Sequence, residues 1–234
     1  MEEAVGLKLS GRILALDLDH TLTKGGEDRL SSTLRSMLEK LKKEGWVLVL
    51  VTGRDRNYIQ GREDLTSLFD AWVLENGVEV YLPGKGTSKV YLPIGWENLR
   101  RQVSGFPSVS VKLWTFSLLE EDVEKVRDVA KQLGISVVFK DNKGLLHALP
   151  EGVHKGTGFR KALELLDVDG WKVVVGDAFI DLNLFQEADF RVAVDNAEEP
   201  LKKIADYVTE KPNGRGVEEF LQKLLTGNLP SFKG

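Results

Sequence analysis

The sequence predicts an α/β fold, a doubly wound and mostly parallel sheet carrying an inserted α+β domain, on three observations. Short apolar runs without helical period alternate with amphipathic stretches, the pattern of strands buried on both faces between crossover helices. Polar turns rich in aspartate, threonine and glycine follow several of those runs, as at the ligand-binding edge of an open sheet. Between about residues 82 and 151 the texture changes to β-rich segments around one charged amphipathic helix.

Taken in order, Ile13 to Leu18 is a compact apolar run read as a strand that ends at Asp17-Leu18-Asp19. Ser31 or Ser32 caps a helix with Leu34, Met37, Leu38 and Leu41 on one face, and Gly45 closes it before the strand Val47 to Val51. A second helical stretch through Ile59 and Leu65 leads to the strand Ala71 to Leu74. The insert has strands at Val90-Tyr91-Leu92, Val109 to Leu113 and Val137-Val138-Phe139, with its helix from Asp122 to Leu133. Turn-forming Pro83-Gly84-Lys85-Gly86 and Leu149-Pro150-Glu151-Gly152 flank it, giving a core of residues 1–81 and 152–234 and an insert of 82–151. The core resumes with a helix from Phe159 to Leu166, a strand from Trp171 to Val175, a helix over 182–188 and a strand from Phe190 to Val194. A helix opened by Glu198-Glu199-Pro200, the short strand Tyr207-Val208 and a helix from Val217 to Leu225 complete it, and Thr226 to Gly234 reads as a frayed tail.

A chain of 234 residues suffices for one such domain and a smaller insert. A formal charge of -4 leaves no basic excess to hold a nucleic-acid backbone. There is no cysteine, which removes disulfides, thiolate zinc sites and a cysteine nucleophile, so a metal would fall to oxygen donors or to the three histidines. A hard cation on carboxylates is the natural expectation. The first residues, Met1-Glu2-Glu3-Ala4, are acidic, and no apolar run approaches the roughly 18 residues of a membrane span. A cytoplasmic protein with no membrane partner is expected, as monomer or homodimer.

Asp17 and Asp19 meet the loop after the first strand, and side chains two apart on a strand point the same way. Thr52-Gly53-Arg54 places a hydroxyl and a glycine amide after the second strand, suited to phosphate oxygens. Lys155, in Val153-His154-Lys155-Gly156, precedes a helix where its ammonium can offset a carboxylate and a phosphate together. Gly176-Asp177 ends a further strand and Asp181 follows on the next helical turn, a spacing that lets one ligate a metal and the other support it.

In order and strand-end position, Asp17-Leu18-Asp19-His20-Thr21, Thr52-Gly53-Arg54, Lys155-Gly156 and Gly176-Asp177 with Asp181 resemble the motifs of the haloacid dehalogenase-like superfamily. The resemblance spans the whole core, implies a Rossmann-like catalytic domain, and makes the insert similar to a type-two cap, with Leu74-Glu75-Asn76-Gly77 leading into it. Within the superfamily the chain looks most like archaeal phosphoglycolate phosphatases and sugar-phosphate phosphatases of the mannosyl-phosphoglycerate or sucrose-phosphate type. Two positions depart from the pattern: His20 stands where a small residue, most often glycine, is usual, and Ile180 where asparagine is common.

The resemblance implies a magnesium-dependent phosphatase acting on a small phosphorylated metabolite. Asp17 would attack phosphorus to form an aspartyl phosphate, and Asp19 would protonate the leaving oxygen and later deprotonate water. Asp17, the main-chain carbonyl of Asp19, Asp177 and Asp181 would hold Mg2+, while Thr52, Gly53, Arg54 and Lys155 would bind the phosphoryl group. A phosphate monoester carries about two negative charges, so a carboxylate approaches it only once those are offset. Cap residues Lys112, Lys140, Asn142, Lys143 and His147 are candidates for reading a carboxylate or sugar hydroxyls on the leaving group. His20 and His154 are assigned no catalytic role, and Trp46, Trp72 and Trp171 are read as packing. A phosphomutase or a non-catalytic phospholigand-binding module would keep the same fold. A dinucleotide-binding protein is disfavoured because no Gly-x-Gly-x-x-Gly follows the first strand.

Overall fold

In the computed structural model, which describes residues 9–26, 28–142 and 144–228, the chain forms two sheets. The first part runs β1 (Leu9–Leu16), α1 (Ser32–Lys43), β2 (Trp46–Val51), α2 (Arg56–Gln60), α3 (Glu63–Thr66), β3 (Ala71–Leu74), β4 (Glu79–Leu82) and β5 (Thr87–Val90). The middle part is α4 (Trp96–Val103), β6 (Ser110–Val111), β7 (Phe116–Leu118), α5 (Val123–Gln132), β8 (Val137–Asn142) and β9 (Leu145–Pro150). The chain then continues through α6 (Lys155–Leu166), β10 (Val168–Gly176), α7 (Leu182–Phe185), β11 (Phe190–Ala193), α8 (Glu199–Ile204), β12 (Tyr207–Val208) and α9 (Asn213–Thr226).

The large sheet has the order β12-β11-β10-β1-β2-β3-β4-β5, parallel from β12 to β3 and antiparallel beyond. β1 lies at its centre, Leu16 registering with Val175 of β10 and with Leu50 of β2. Ile13, Leu14, Ala15 and Leu16 are all fully buried, which is why this run lacks the alternation of a half-exposed strand. Ser31 caps α1, its hydroxyl accepting from the Leu34 amide at 3.0 Å.

The small sheet, β6-β7-β9-β8, is antiparallel and has its own hydrophobic cluster, including Trp96, Leu99, Phe116, Val126 and Ala148, with α4 and α5. The cross-strand row Phe116, Ala148, Phe139 turns toward that cluster. The neighbouring row Ser110, Ser117, His147, Lys140 therefore lies on the opposite face, because alternate residues of a strand point to opposite sides.

Several boundaries differ from the sequence reading. Val90 ends β5 in the large sheet instead of starting a strand of the insert, since the turn after Leu82 closes a local β4–β5 hairpin at little entropic cost. The stretch through Ile59 and Leu65 is two short helices, broken where Gly61 ends α2 and the Arg62 guanidinium folds onto Asp64 at 2.8 and 2.7 Å. α4, β7 and β9 carry no helix or strand expectation at all, each being short and packed through partners distant in sequence. α6 begins at Lys155, four residues before the expected Phe159, because His154 and Thr157 form a reciprocal cap. Most of the expected frayed tail lies outside the described residues.

Glycine is required where α6 docks. A Cβ on Gly158 would lie 2.5 Å from both the Gly77 Cα and the Val73 Cγ1, so helix and strand end approach more closely than any side chain permits. Gly158→Ala is expected to destabilise the fold by about 1–3 kcal/mol, a fall in Tm of roughly 2–10 °C. Thermal unfolding followed by circular dichroism checks this, and an unchanged Tm would show that the helix can shift without cost.

Candidate active site

Three neighbouring strands, β10, β1 and β2, end side by side, and the residue after each end is Asp177, Asp17 and Thr52. The sheet itself fixes two of these: the Asp17 amide donates to the Val175 carbonyl at 3.1 Å and the Thr52 amide to the Val73 carbonyl at 2.8 Å.

Lys155 is delivered by the first turn of α6. The His154 imidazole accepts the Thr157 amide at 3.2 Å while Thr157 Oγ1 accepts the His154 amide at 2.9 Å, so His154 serves the helix cap. A Cβ on Gly156 would stand 2.2 Å from the Asn183 carbonyl oxygen, and this close seating brings Lys155 in to 3% exposure. Its Nζ lies 2.6 Å from Asp17 Oδ1 and 2.5 Å from Asp181 Oδ1. The other Asp181 oxygen accepts the amides of Asp177 and Ala178 at 3.2 and 3.1 Å. Gly176 leaves room for it, since a Cβ there would lie 2.8 Å from Asp181 Oδ2. Thr21 Oγ1 donates to Asp177 Oδ1 at 3.2 Å.

Asp17, Asp177 and Asp181 are buried, and one oxygen from each lies within 4.8 Å of the others. Lys155 pairs with two of these carboxylates, and their mutual repulsion at such short range is an electrostatic cost that a cation between them would relieve. Burial pushes the Asp17 carboxyl well above its ordinary value against the pull of Lys155, and Asp181 and Asp177 push it the same way. Burial alone would lower the Lys155 ammonium, but Asp17 and Asp181 together outweigh it and hold the group charged. An all-oxygen donor set of three convergent carboxylates fits a hard divalent cation.

Asp19 does not join the triad. The chain turns immediately after Asp17, with the amides of Leu22 and Thr23 returning to the Leu18 carbonyl at 2.9 and 3.0 Å, so strand alternation lapses. The Asp19 carboxylate is instead forked by Arg54, both contacts at 2.8 Å, and the guanidinium stacks 4.4 Å over the Tyr58 ring. Of the Thr52-Gly53-Arg54 turn, Gly53 and Arg54 line the cleft above these residues, while Thr52 is fully buried with its hydroxyl accepting the Arg54 amide at 3.1 Å.

The cleft encloses about 540 Å³ between the carboxyl edge of the large sheet and the polar face of the small one. Among the expected cap residues Lys112, Asn142 and His147 line it, Lys140 does not, and Lys143 lies outside the described residues. Lys112 Nζ donates to the Gly53 carbonyl at 2.8 Å and lies 3.3 Å from His147 Nδ1. Burial lowers the Lys112 ammonium; burial, aided by Lys112, Lys155 and Arg54, lowers His147 to about 3, which keeps the ring neutral.

Two residues escape the sequence reading of the site. Asn76 lines the cleft in a left-handed conformation, φ 57°, its amide donating to the Thr52 carbonyl at 3.0 Å; the Asn-Gly pair after a buried strand was the available signal. Glu75 is fully buried and accepts the amides of Trp114 and Thr115 at 2.9 and 2.7 Å and the Thr115 hydroxyl at 2.5 Å, clasping the cap. Partners so far apart in sequence leave no local signal.

A profile of the haloacid dehalogenase-like hydrolases matches residues 14–93 and 108–221. The chain is 31% identical over 221 residues to "Phosphoglycolate phosphatase 2" of Saccharolobus solfataricus, covering 93% of this chain and 94% of that one. It is 29% identical to "Phosphoglycolate phosphatase" of Archaeoglobus fulgidus, over 91% and 96% of the two chains. Among solved structures, a Thermoplasma acidophilum protein superposes with a TM-score of 0.74 at 21% identity, over 92% of this chain and 99% of that one. A haloacid dehalogenase-like hydrolase of Bacteroides thetaiotaomicron gives 0.68 at 21% identity, over 92% and 100%.

The convergent carboxylates predict that a divalent cation such as magnesium stabilises the fold. At a concentration 100 times its dissociation constant the gain is about 2.7 kcal/mol, visible as a rise in Tm over a chelator control. Asp177→Asn should abolish most of that rise; a wild-type Tm indifferent to divalent cations would refute the cation site.

Proposed function

The chain belongs to the haloacid dehalogenase-like hydrolases and is a phosphatase, and from that premise we propose that it is magnesium-dependent, works through an aspartyl phosphate on Asp17, and hydrolyses phosphoglycolate. The observation that carries this reading is the buried, convergent Asp17–Asp177–Asp181 carboxylate cluster beside the Gly53 and Arg54 wall of the cleft. The names of the two relatives support the choice of substrate.

In the first step an Asp17 carboxylate oxygen attacks phosphorus, the ester P–O bond breaks, and Asp19, which takes up a proton from solvent once one oxygen leaves the Arg54 fork, passes that proton to the departing alkoxide. In the second, water attacks the aspartyl phosphate, Asp19 takes the water's proton, and the Asp17 carboxylate leaves as inorganic phosphate departs. Lys155 holds Asp17 in place and offsets its charge as the dianionic ester approaches. Asp17, Asp177, Asp181 and the Asp19 carbonyl are the groups that would hold Mg2+, which when bound adds the positive charge that lets ester and carboxylate meet.

Arg54 holds both Asp19 oxygens, so Asp19 reaches the leaving group only by turning one of them away from the fork. Arg54 is then released to share the transferring phosphoryl group with Lys155 and the Gly53 amide. Thr52 supports this turn from below through the Arg54 amide.

Phosphate release from phosphoglycolate in the presence of magnesium is expected to fall by roughly a thousandfold or more in Asp17→Asn. Acid-quenched wild type incubated with labelled ester should retain covalent phosphate, and the variant none. Turnover without a trapped label would point away from the aspartyl intermediate, and formation of a phosphate-ester isomer in place of phosphate would identify a mutase.

A further inference from the structure

The cations lining the cleft are not equivalent: Lys24 is exposed to solvent, whereas the other three are at least partly buried. Lys155 is spent on Asp17 and Asp181, and Arg54 on Asp19. Lys112 contacts only neutral groups, the Gly53 carbonyl at 2.8 Å and the His147 ring at 3.3 Å, and among the described residues no carboxylate comes within ion-pair distance of it. Glu75, Asp55 and Asp19 act on it only from beyond contact, so this ammonium, held away from solvent, lacks a direct anionic partner among the described residues.

The surroundings are shaped for one. With the ammonium donating to His147 Nδ1, the neutral ring carries its proton on Nε2, an atom that is buried and has no partner. Ser110 and Ser117, on the same face of the small sheet, add hydroxyl donors to the same wall. The span is short: Lys112 reaches the carbonyl of Gly53, a residue of the turn that would grip the phosphoryl group, so a substrate touching both sites has a spacer of only a few atoms.

We infer that Lys112, oriented by His147 and the Gly53 carbonyl, is a carboxylate subsite, and that the substrates are short phosphorylated hydroxy acids whose carboxylate it binds. The inference rests on the phosphatase reading above and deepens it, assigning the recognition of the leaving group to two cap residues. A neutral sugar leaving group places no carboxylate at Lys112.

The test compares kcat/KM for phosphoglycolate with that for ethyl phosphate, which has a methyl group in place of the carboxylate, in wild type, Lys112→Met and Lys112→Arg, all with magnesium. Wild type should favour phosphoglycolate by about 10–100-fold, the worth of one charge-assisted contact. Lys112→Met should collapse that ratio toward unity through KM, and Lys112→Arg should keep most of it because the charge remains. A wild-type ratio near unity overturns the inference without any variant. So does a Lys112→Met enzyme in which both substrates slow together, for the ammonium would then be serving the phosphoryl group. Failure of wild type to release phosphate from either ester or from an aryl phosphate would instead overturn the phosphatase reading, and the inference with it.

Discussion

The site depends on one electrostatic constraint: three carboxylates are buried at the end of a parallel sheet, and the Lys155 ammonium joins two of them. Isolated charges of one sign cannot be buried this closely without compensation. Much of the nearby architecture supplies it. The α6 glycines let Lys155 approach, the Gly176 position lets Asp181 tuck beneath the strand end, and two backbone amides turn toward Asp181. The convergence of three carboxylate oxygens is what fits the cluster to a hard divalent cation.

The cap is tied to the same edge by polar contacts. The segment from Lys112 to Thr115 makes five hydrogen bonds to the core: one to the Gly53 carbonyl, three to Glu75 and one from the Trp114 indole to Glu79. Four of the five end on carboxylates buried in the core, contacts worth about 1.5–3 kcal/mol each when the partner is charged. Burial pushes the Glu75 carboxyl up while its Thr115 and Trp114 donors draw it down, so the clasp is a balance between desolvation and hydrogen bonding.

The two departures from the superfamily pattern have physical accounts. His20 has φ 64°, the left-handed region where glycine is at ease and where histidine is among the better tolerated side chains. Its carbonyl is held by Asn196 Nδ2 at 2.8 Å, and its ring packs beside Gly25 at the cleft mouth. Ile180 offers the acidic loop no hydrogen bond, but Asp177 takes one from Thr21, and Asp181 takes its own from Lys155 and two amides.

The sequence by itself determined the sheet and the polar groups that stand at its strand ends. Buried strands such as Ile13–Leu16 and Val173–Val175 are apolar on both faces, a property of composition alone, and polar residues at strand ends need no distant partner to be noticed. Only the tertiary structure decided how those groups are paired. Asp19 and Asp17 are two residues apart, yet a turn sends one carboxylate to Arg54 and leaves the other with Lys155. The short cap elements Trp96–Val103, Phe116–Leu118 and Leu145–Pro150, the Glu75 clasp, and the selection of Lys112 and His147 from several cap candidates are set by contacts between segments far apart in the chain. Local patterning encodes which face a residue turns, whereas which charge it meets there is a property of the assembled fold.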